Sequence, residues 1–158
     1  MGERYVSFSL ANGHYCVPVN QVLQILRREN LIDIPKPPPY VEGVINLRGN
    51  IIPVVNLRAR LEIGHGEKGE HREPDPRKRR IIITRVGSRS YGLDVDEVRE
   101  IVDIDESGIT QDATSLFGAR ADFIRGIARK DESLYLMLDL PRVFAVGRDV
   151  PGAVAGQS

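Results

Sequence analysis

Gly43-Val44-Ile45-Asn46-Leu47-Arg48-Gly49-Asn50-Ile51-Ile52-Pro53-Val54-Val55-Asn56-Leu57-Arg58 is two apolar, β-branched runs joined by Arg48-Gly49-Asn50. Gly and Asn tolerate φ > 0, so the join predicts a tight hairpin turn. Arg48 then stands at the tip of a stiff hairpin, beside the backbone of Gly49 and between apolar strand residues. A fixed cation in that setting suits contact with a partner. It serves catalysis poorly, because no base or nucleophile stands near it.

The same pattern is written twice in the chain. Tyr15-Cys16-Val17-Pro18-Val19-Asn20-Gln21-Val22-Leu23-Gln24-Ile25 returns 76 positions later as Tyr91-Gly92-Leu93-Asp94-Val95-Asp96-Glu97-Val98-Arg99-Glu100-Ile101. Tyr40-Val41-Glu42-Gly43-Val44 returns 83 positions later as Phe123-Ile124-Arg125-Gly126-Ile127. At that second spacing Ile51 meets Leu134, Val54 meets Met137, Val55 meets Leu138, and Asn56 meets Asp139. Coincidence of Tyr, Gly and Asx in one order points to pseudo-symmetry, with seven residues inserted in the second half before Phe123. The corresponding second turn reads Arg129-Lys130-Asp131-Glu132-Ser133 and lacks the Leu-Arg-Gly of the first. Two related halves that differ at one tip suggest a separate task for that tip.

Each half reads as a hairpin, a third strand, a loop and a second hairpin. Asn12-Gly13 and Gly87-Ser88 are the turn signals of the leading hairpins. About five short strands per half predict a mainly β protein built as two small barrels. Pro18 and Pro53 cannot donate to a ladder, so each marks an edge or a bulge. Asn56 and Asp139 precede short helical stretches that they can cap. The chain therefore reads as one domain over 1–150, with halves at about 5–63 and 80–146. Between them, 64–80 carries no apolar residue and reads as a mobile linker; 147–158 reads as a loose tail.

Lys plus Arg number 22 and Asp plus Glu number 22 in 158 residues. That balance disfavours a general polyanion binder. A small barrel with aromatic platforms binds single strands, but four Phe and five Tyr without a basic surplus make a weak case for nucleic acid. Cys16 is the only cysteine, which fits a reducing compartment and a small buried side chain. No signal-peptide core or spanning run is present, so a cytoplasmic protein is expected.

Other stretches carry less. Pro35-Lys36-Pro37-Pro38-Pro39 has a Pro-x-x-Pro spacing, but reads better as a stiff crossing. Arg77-Lys78-Arg79-Arg80 reads as a solvated flank guarding Ile81-Ile82-Ile83. His65 and His71 with Glu67 and Glu70 make a poor metal site on an unordered frame. His14 sits at a hairpin bend. Asp94, Asp96, Glu97 and Glu100 read as a solvated acidic face. No nucleophile elbow, phosphate loop or zinc motif occurs, so no enzyme activity, catalytic residue, metal or cofactor is expected.

Val44-Ile45-Asn46-Leu47-Arg48-Gly49, then Ile52-Pro53-Val54-Val55-Asn56-Leu57-Arg58, then Val22-x-x-Ile25 with its repeat at Val98, resemble the CheW-like chemotaxis coupling proteins. The likeness runs from about Tyr5 to Val146. It implies two intertwined five-stranded SH3-like barrels and a non-enzymatic adaptor. Such adaptors join the cytoplasmic tip of a chemoreceptor to the regulatory domain of a CheA-type histidine kinase, in arrays attached to the membrane. The implied receptor contacts are Arg48, framed by Asn46, Leu47 and Gly49, with Val22, Gln24 and Ile25 in a groove between the barrels. Gln24 departs from the usual Glu and loses its charge; Asn56 stands where Asp is frequent. The linker looks longer than in typical members. For the kinase, the candidates are Leu116 and Phe117, an apolar pair in a loop that is either a staple beneath it or an exposed anchor. A coupling role in a chemosensory-like pathway for surface motility or development fits the same resemblance.

Overall fold

A computed structural model describes residues 2–63, 75–110, 121–144 and 153–154. The first half opens with β1 (Glu3–Leu10) and β2 (Gly13–Pro18), paired antiparallel through a turn at Ala11 and Asn12, both at positive φ. A 3-10 turn over Val19–Gln21 leads to β3 (Val22–Arg27). The second hairpin is β4 (Val41–Leu47) and β5 (Asn50–Val55), followed by α1 (Leu57–Arg60). The second half repeats this as β6 (Arg80–Val86), β7 (Arg89–Val95) and β8 (Glu97–Ile104). A two-residue β9 (Ile109–Thr110) precedes the hairpin β10 (Ile124–Lys130) and β11 (Ser133–Leu138), then α2 (Leu140–Phe144). The backbone of β12 (Ala153–Val154) pairs with β7.

The strands form two sheets, β8-β1-β2-β11-β10-β9 and β3-β6-β7-β5-β4. Exchange each strand for its counterpart in the other half, leaving β9 aside, and the first order becomes the second. Each sheet curls into an SH3-like barrel, mainly β as expected. Closure of the first is visible where Lys130 Nζ on β10 donates to the Asp103 carbonyl of β8 at 2.7 Å. The halves of the sequence are units of repetition, and each barrel draws strands from both. The first takes β1 and β2 with β8, β10 and β11; the second takes β6 and β7 with β3, β4 and β5. Parallel pairing stitches the exchange: Met137 lies opposite Cys16, and its counterpart Val54 lies opposite Gly92.

Three clusters of buried apolar side chains fill the molecule. Tyr5, Cys16, Val102, Ile104, Ala128, Tyr135 and Met137 fill the first barrel. Ile45, Ile52, Val54, Ile81 and Ile83 fill the second, with Leu26, Leu31 and Leu47 against them. The largest cluster lies between the barrels and includes Phe8, Val55, Leu57, Ile82, Leu93, Leu140 and Phe144. Tyr91 stacks on Phe144 there at 3.9 Å between ring centroids. Buried Arg60 is held between the rings of Tyr40 and Phe123, 4.9 and 4.8 Å from their centroids. Those rings are pseudo-symmetric partners, and Arg60 Nε donates to the carbonyl of Val143, its own counterpart.

Both helical caps form as expected. Asn56 Oδ1 accepts from Ala59 N at 3.2 Å, and Asp139 Oδ1 accepts from Arg142 N at 3.2 Å. Pro53 differs from expectation, because it lies within β5 rather than at an edge or bulge. It faces Val44 on β4, and pairing with β7 starts only at Val54, so its missing N–H interrupts nothing on that side. The bulges fall elsewhere, between Val22 and Gln24, Val41 and Gly43, Ile124 and Gly126, and where β8 passes Val6 to Phe8 of β1.

Gly43 meets the backbone of Ile32, which bridges Val44 through bonds of 2.8 and 2.9 Å. A Cβ on Gly43 would overlap the Ile32 carbonyl oxygen, which is backbone and cannot swing aside. Gly43→Ala is therefore expected to cost about 2 kcal/mol. The check is urea denaturation, with a lower midpoint at unchanged slope.

Candidate functional site

The β4–β5 register places Leu47 opposite Asn50, leaving Arg48 and Gly49 as a two-residue loop. Their φ values are 53° and 87°, so both are left-handed, as a type I′ hairpin turn requires. The residue that joins Gly49 in the left-handed region is thus Arg48, and Asn50 begins β5. An arginine there costs about 1 kcal/mol relative to glycine. Two contacts hold the tip in place. Asn46 Oδ1 accepts from Gly49 N at 3.1 Å, and Leu47 packs on the second barrel's core.

Arg48 is exposed and has no hydrogen bond or ion pair among the described residues. The nearby Arg58 shows the contrast. It donates to Asp96 Oδ2 at 2.6 Å, and the same oxygen accepts from Ala11 N at 2.9 Å. Arg58 therefore ties α1 to two turns, while Arg48 has five donors and no partner among the described residues. Asp131, the counterpart of Arg48, is left-handed too, at φ 56°. The two hairpins share their bend and carry opposite charges.

Beside the tip, Ile51 faces Asn46 across the hairpin and is 52% exposed. On β3 the bulge after Val22 breaks the alternation, and Leu23, Gln24 and Ile25 are all exposed. Val22 itself packs against the cluster between the barrels, and Leu26 turns back into the second barrel. Arg48, Asn46, Leu47 and Gly49 therefore form one cluster, and Val22, Gln24 and Ile25 a second on the same barrel. Between β3 and β4, the strand order interposes β6, β7 and β5. Leu116 and Phe117 lie outside the described residues, as do His65, His71, Glu67 and Glu70.

Four of the large exposed apolar side chains pair by the pseudo-symmetry. Ile51 and its counterpart Leu134 are 52% and 58% exposed; Ile25 and its counterpart Ile101 are 40% and 61% exposed. The sequence alignment already paired Ile51 with Leu134, but apolar identity alone could not separate an inward from an outward pair.

Asp94 is buried on β7, accepting from Arg28 Nε at 2.8 Å and Arg79 Nη2 at 2.7 Å, and Asp96 is bonded as above. Only Glu97 and Glu100 keep substantial exposure, so the acidic face dissolves. Arg79 is likewise no solvated flank. Lys36 adopts φ 49°, which breaks a polyproline helix after Pro35 and leaves a crossing of exposed prolines. Burial pushes the Cys16 thiol up to about 12, leaving it unreactive. No cluster of three or more potential metal ligands occurs among the described residues, and no helix there is long and apolar enough to cross a membrane.

Residues 4–147 match the family model described as CheW-like domain. The chemotaxis protein CheW of Rhizobium meliloti (strain 1021) is 34% identical over 145 residues, 90% of this chain and 88% of the relative. The chemotaxis protein CheW of Thermotoga maritima is 29% identical over 139 residues, 87% of this chain and 85% of the relative. The crystal structure of scaffolding protein TtCheW from Thermoanaerobacter tengcongensis aligns with a TM-score of 0.78 at 33% identity, covering 91% of this chain and 88% of that one.

The geometry of the tip makes a stability prediction. Arg48→Gly removes a left-handed arginine whose side chain bonds to nothing among the described residues. Its stability is expected to hold or to rise by up to about 1 kcal/mol. Differential scanning calorimetry checks this; a fall in the midpoint would mean that the side chain is anchored internally.

Proposed function

Because the chain belongs to the CheW-like family, we propose that it is a non-enzymatic adaptor joining the cytoplasmic tips of chemoreceptors to a CheA-type histidine kinase. The observation that carries this reading is Arg48, a cation with no partner among the described residues, fixed in a left-handed turn and flanked by exposed Ile51. A strained, exposed residue without an internal role suits a contact supplied from outside.

A receptor tip is a helical hairpin, and helices dock by laying apolar anchors into a groove. In this reading Leu23 and Ile25 offer apolar contact, Gln24 offers a neutral hydrogen bond, and Arg48 donates to carbonyl or carboxylate oxygens at the rim. Asn46, Leu47 and Gly49 hold the rim in shape, and Val22 joins it to the core between the barrels. An adaptor needs a second surface for its second partner. Ile101 and Leu134 on the first barrel supply one, facing the kinase regulatory domain. The protein then reaches the membrane only through the receptor array.

Arg48→Asp tests the receptor contact, since Asp131 shows that the turn accepts aspartate at nearly the same φ. The variant is expected to keep its circular dichroism and thermal midpoint and to lose at least about tenfold in co-sedimentation with receptor-bearing membranes. Full co-sedimentation would remove Arg48 from the contact. Ile101→Arg is expected to spare receptor binding and weaken pull-down of the kinase.

A further inference from the structure

Below the β4–β5 hairpin, two carboxyl groups meet in one pocket. The bulge in β4 carries Glu42 between Val41, opposite Val55, and Gly43, opposite Val54. One guanidinium touches both acids, Arg28 reaching Asp94 Oδ2 through Nε and Glu42 Oε2 through Nη2, which sets Glu42 beside Asp94 on β7. The Glu42 side chain keeps 18% of its exposure and that of Asp94 3%. Both arginine bonds fall on one oxygen, Asp94 Oδ2, from Arg28 Nε and Arg79 Nη2. Asp94 Oδ1 is buried and receives no hydrogen bond. Arg28 Nη2 reaches Glu42 only at 3.5 Å. Two ionised carboxylates have no proton to place between them, and a buried oxygen without a donor is costly.

We propose that Glu42 and Asp94 share one proton, donated by the Glu42 carboxyl to Asp94 Oδ1, and that this bond is a pH-sensitive latch fastening the base of the Arg48 hairpin to β7. The groups facing Glu42 are Asp94 from β7, Arg28 from the turn after β3, and Arg79 from the segment before β6. Burial first, then the hydrogen bond and charge of Asp94, push the Glu42 carboxyl up to about 8, against the two arginines. The other barrel has no such latch: Arg125 stands at the place of Glu42 and Pro18 at that of Asp94. Loss of the proton releases it to solvent and leaves two like charges facing each other. The inference concerns the scaffold and holds whatever partner meets Arg48.

The folded value lies above the ordinary 4.5. The stabilisation is therefore complete below about pH 4.5 and drains away as pH rises to about 8. Carbon-13 carboxyl NMR on the full chain between pH 4 and 9 tests this without any substitution. Glu42 is expected to titrate near 8. Hydrogen exchange supplies an internal control: protection of Gly43 and Val44 is expected to fall above pH 8 relative to their counterparts Gly126 and Ile127. Glu42→Gln, which keeps a donor and cannot ionise, is expected to gain in thermal midpoint over the parent as pH rises from 5 to 9. Titration of Glu42 in the ordinary carboxyl range would overturn the shared proton. Unchanged relative protection, or a constant midpoint difference, would overturn the latch.

Discussion

Everything in this fold depends on two parallel strand contacts, Val54 beside Gly92 and Met137 beside Cys16. They occupy equivalent places, and each sets a large side chain against a small one. A Cβ on Gly92 would lie 2.9 Å from Ile81 Cγ2 and 3.0 Å from Val54 Cγ2, so β5 and β7 approach this closely because glycine is there. Cys16, fully buried, is the small residue at the other crossing. Through these contacts the last strands of each half join the sheet opened by the other half. Neither half closes a barrel core of its own. The barrels then press together on the largest apolar cluster, with Arg60 between Tyr40 and Phe123. A buried guanidinium without an acid is costly; two aromatic faces and the Val143 carbonyl offset part of that cost.

This exchange fixes the Arg48 hairpin more firmly than a local hairpin would be. β5 is clamped between β4 and β7, and β7 belongs to the other half of the chain. Movement of the tip therefore has to disturb both halves. A left-handed arginine persists only where its surroundings determine the turn. Here they do, through the Asn46 bond, Leu47 in the core and the β5–β7 pairing.

The repeat was legible because Tyr, Gly and Asx recur in one order, and the hairpins because Gly and Asn mark their turns. The exchange was not legible in the residues themselves; only the family resemblance implied intertwined barrels. Parallel pairing leaves no local trace, and Val54-Val55 looks the same whichever strand lies beside it. The turn at Arg48 was visible through Gly49, but its one-residue offset was not, since Asn50 is an equally good turn residue. Asp94 was misread because Leu93-Asp94-Val95 has the alternation of a half-solvated strand. In the fold Asp94 is covered by Arg28 and Arg79, from separate segments, with Glu42 on the bulge facing it. Bulges explain the rest: they shift the inward–outward phase partway along a strand, so the counterparts Ile25 and Ile101 both face solvent.

What the two halves share and what they do not divides along chemical lines. Many buried apolar positions match, and so do two exposed pairs, Ile51 with Leu134 and Ile25 with Ile101. Several charges do not match: Arg48 answers Asp131, Glu42 answers Arg125, Asp94 answers Pro18, and Arg60 answers Val143. A duplicated scaffold with only its apolar contacts would present two nearly interchangeable ends. Apolar area gives contact without direction, whereas complementary charge selects among partners and sets their orientation. The inverted tips, Arg48 on one barrel and Asp131 on the other, therefore do what the shared apolar positions cannot: they make two similar ends distinguishable to whatever meets them.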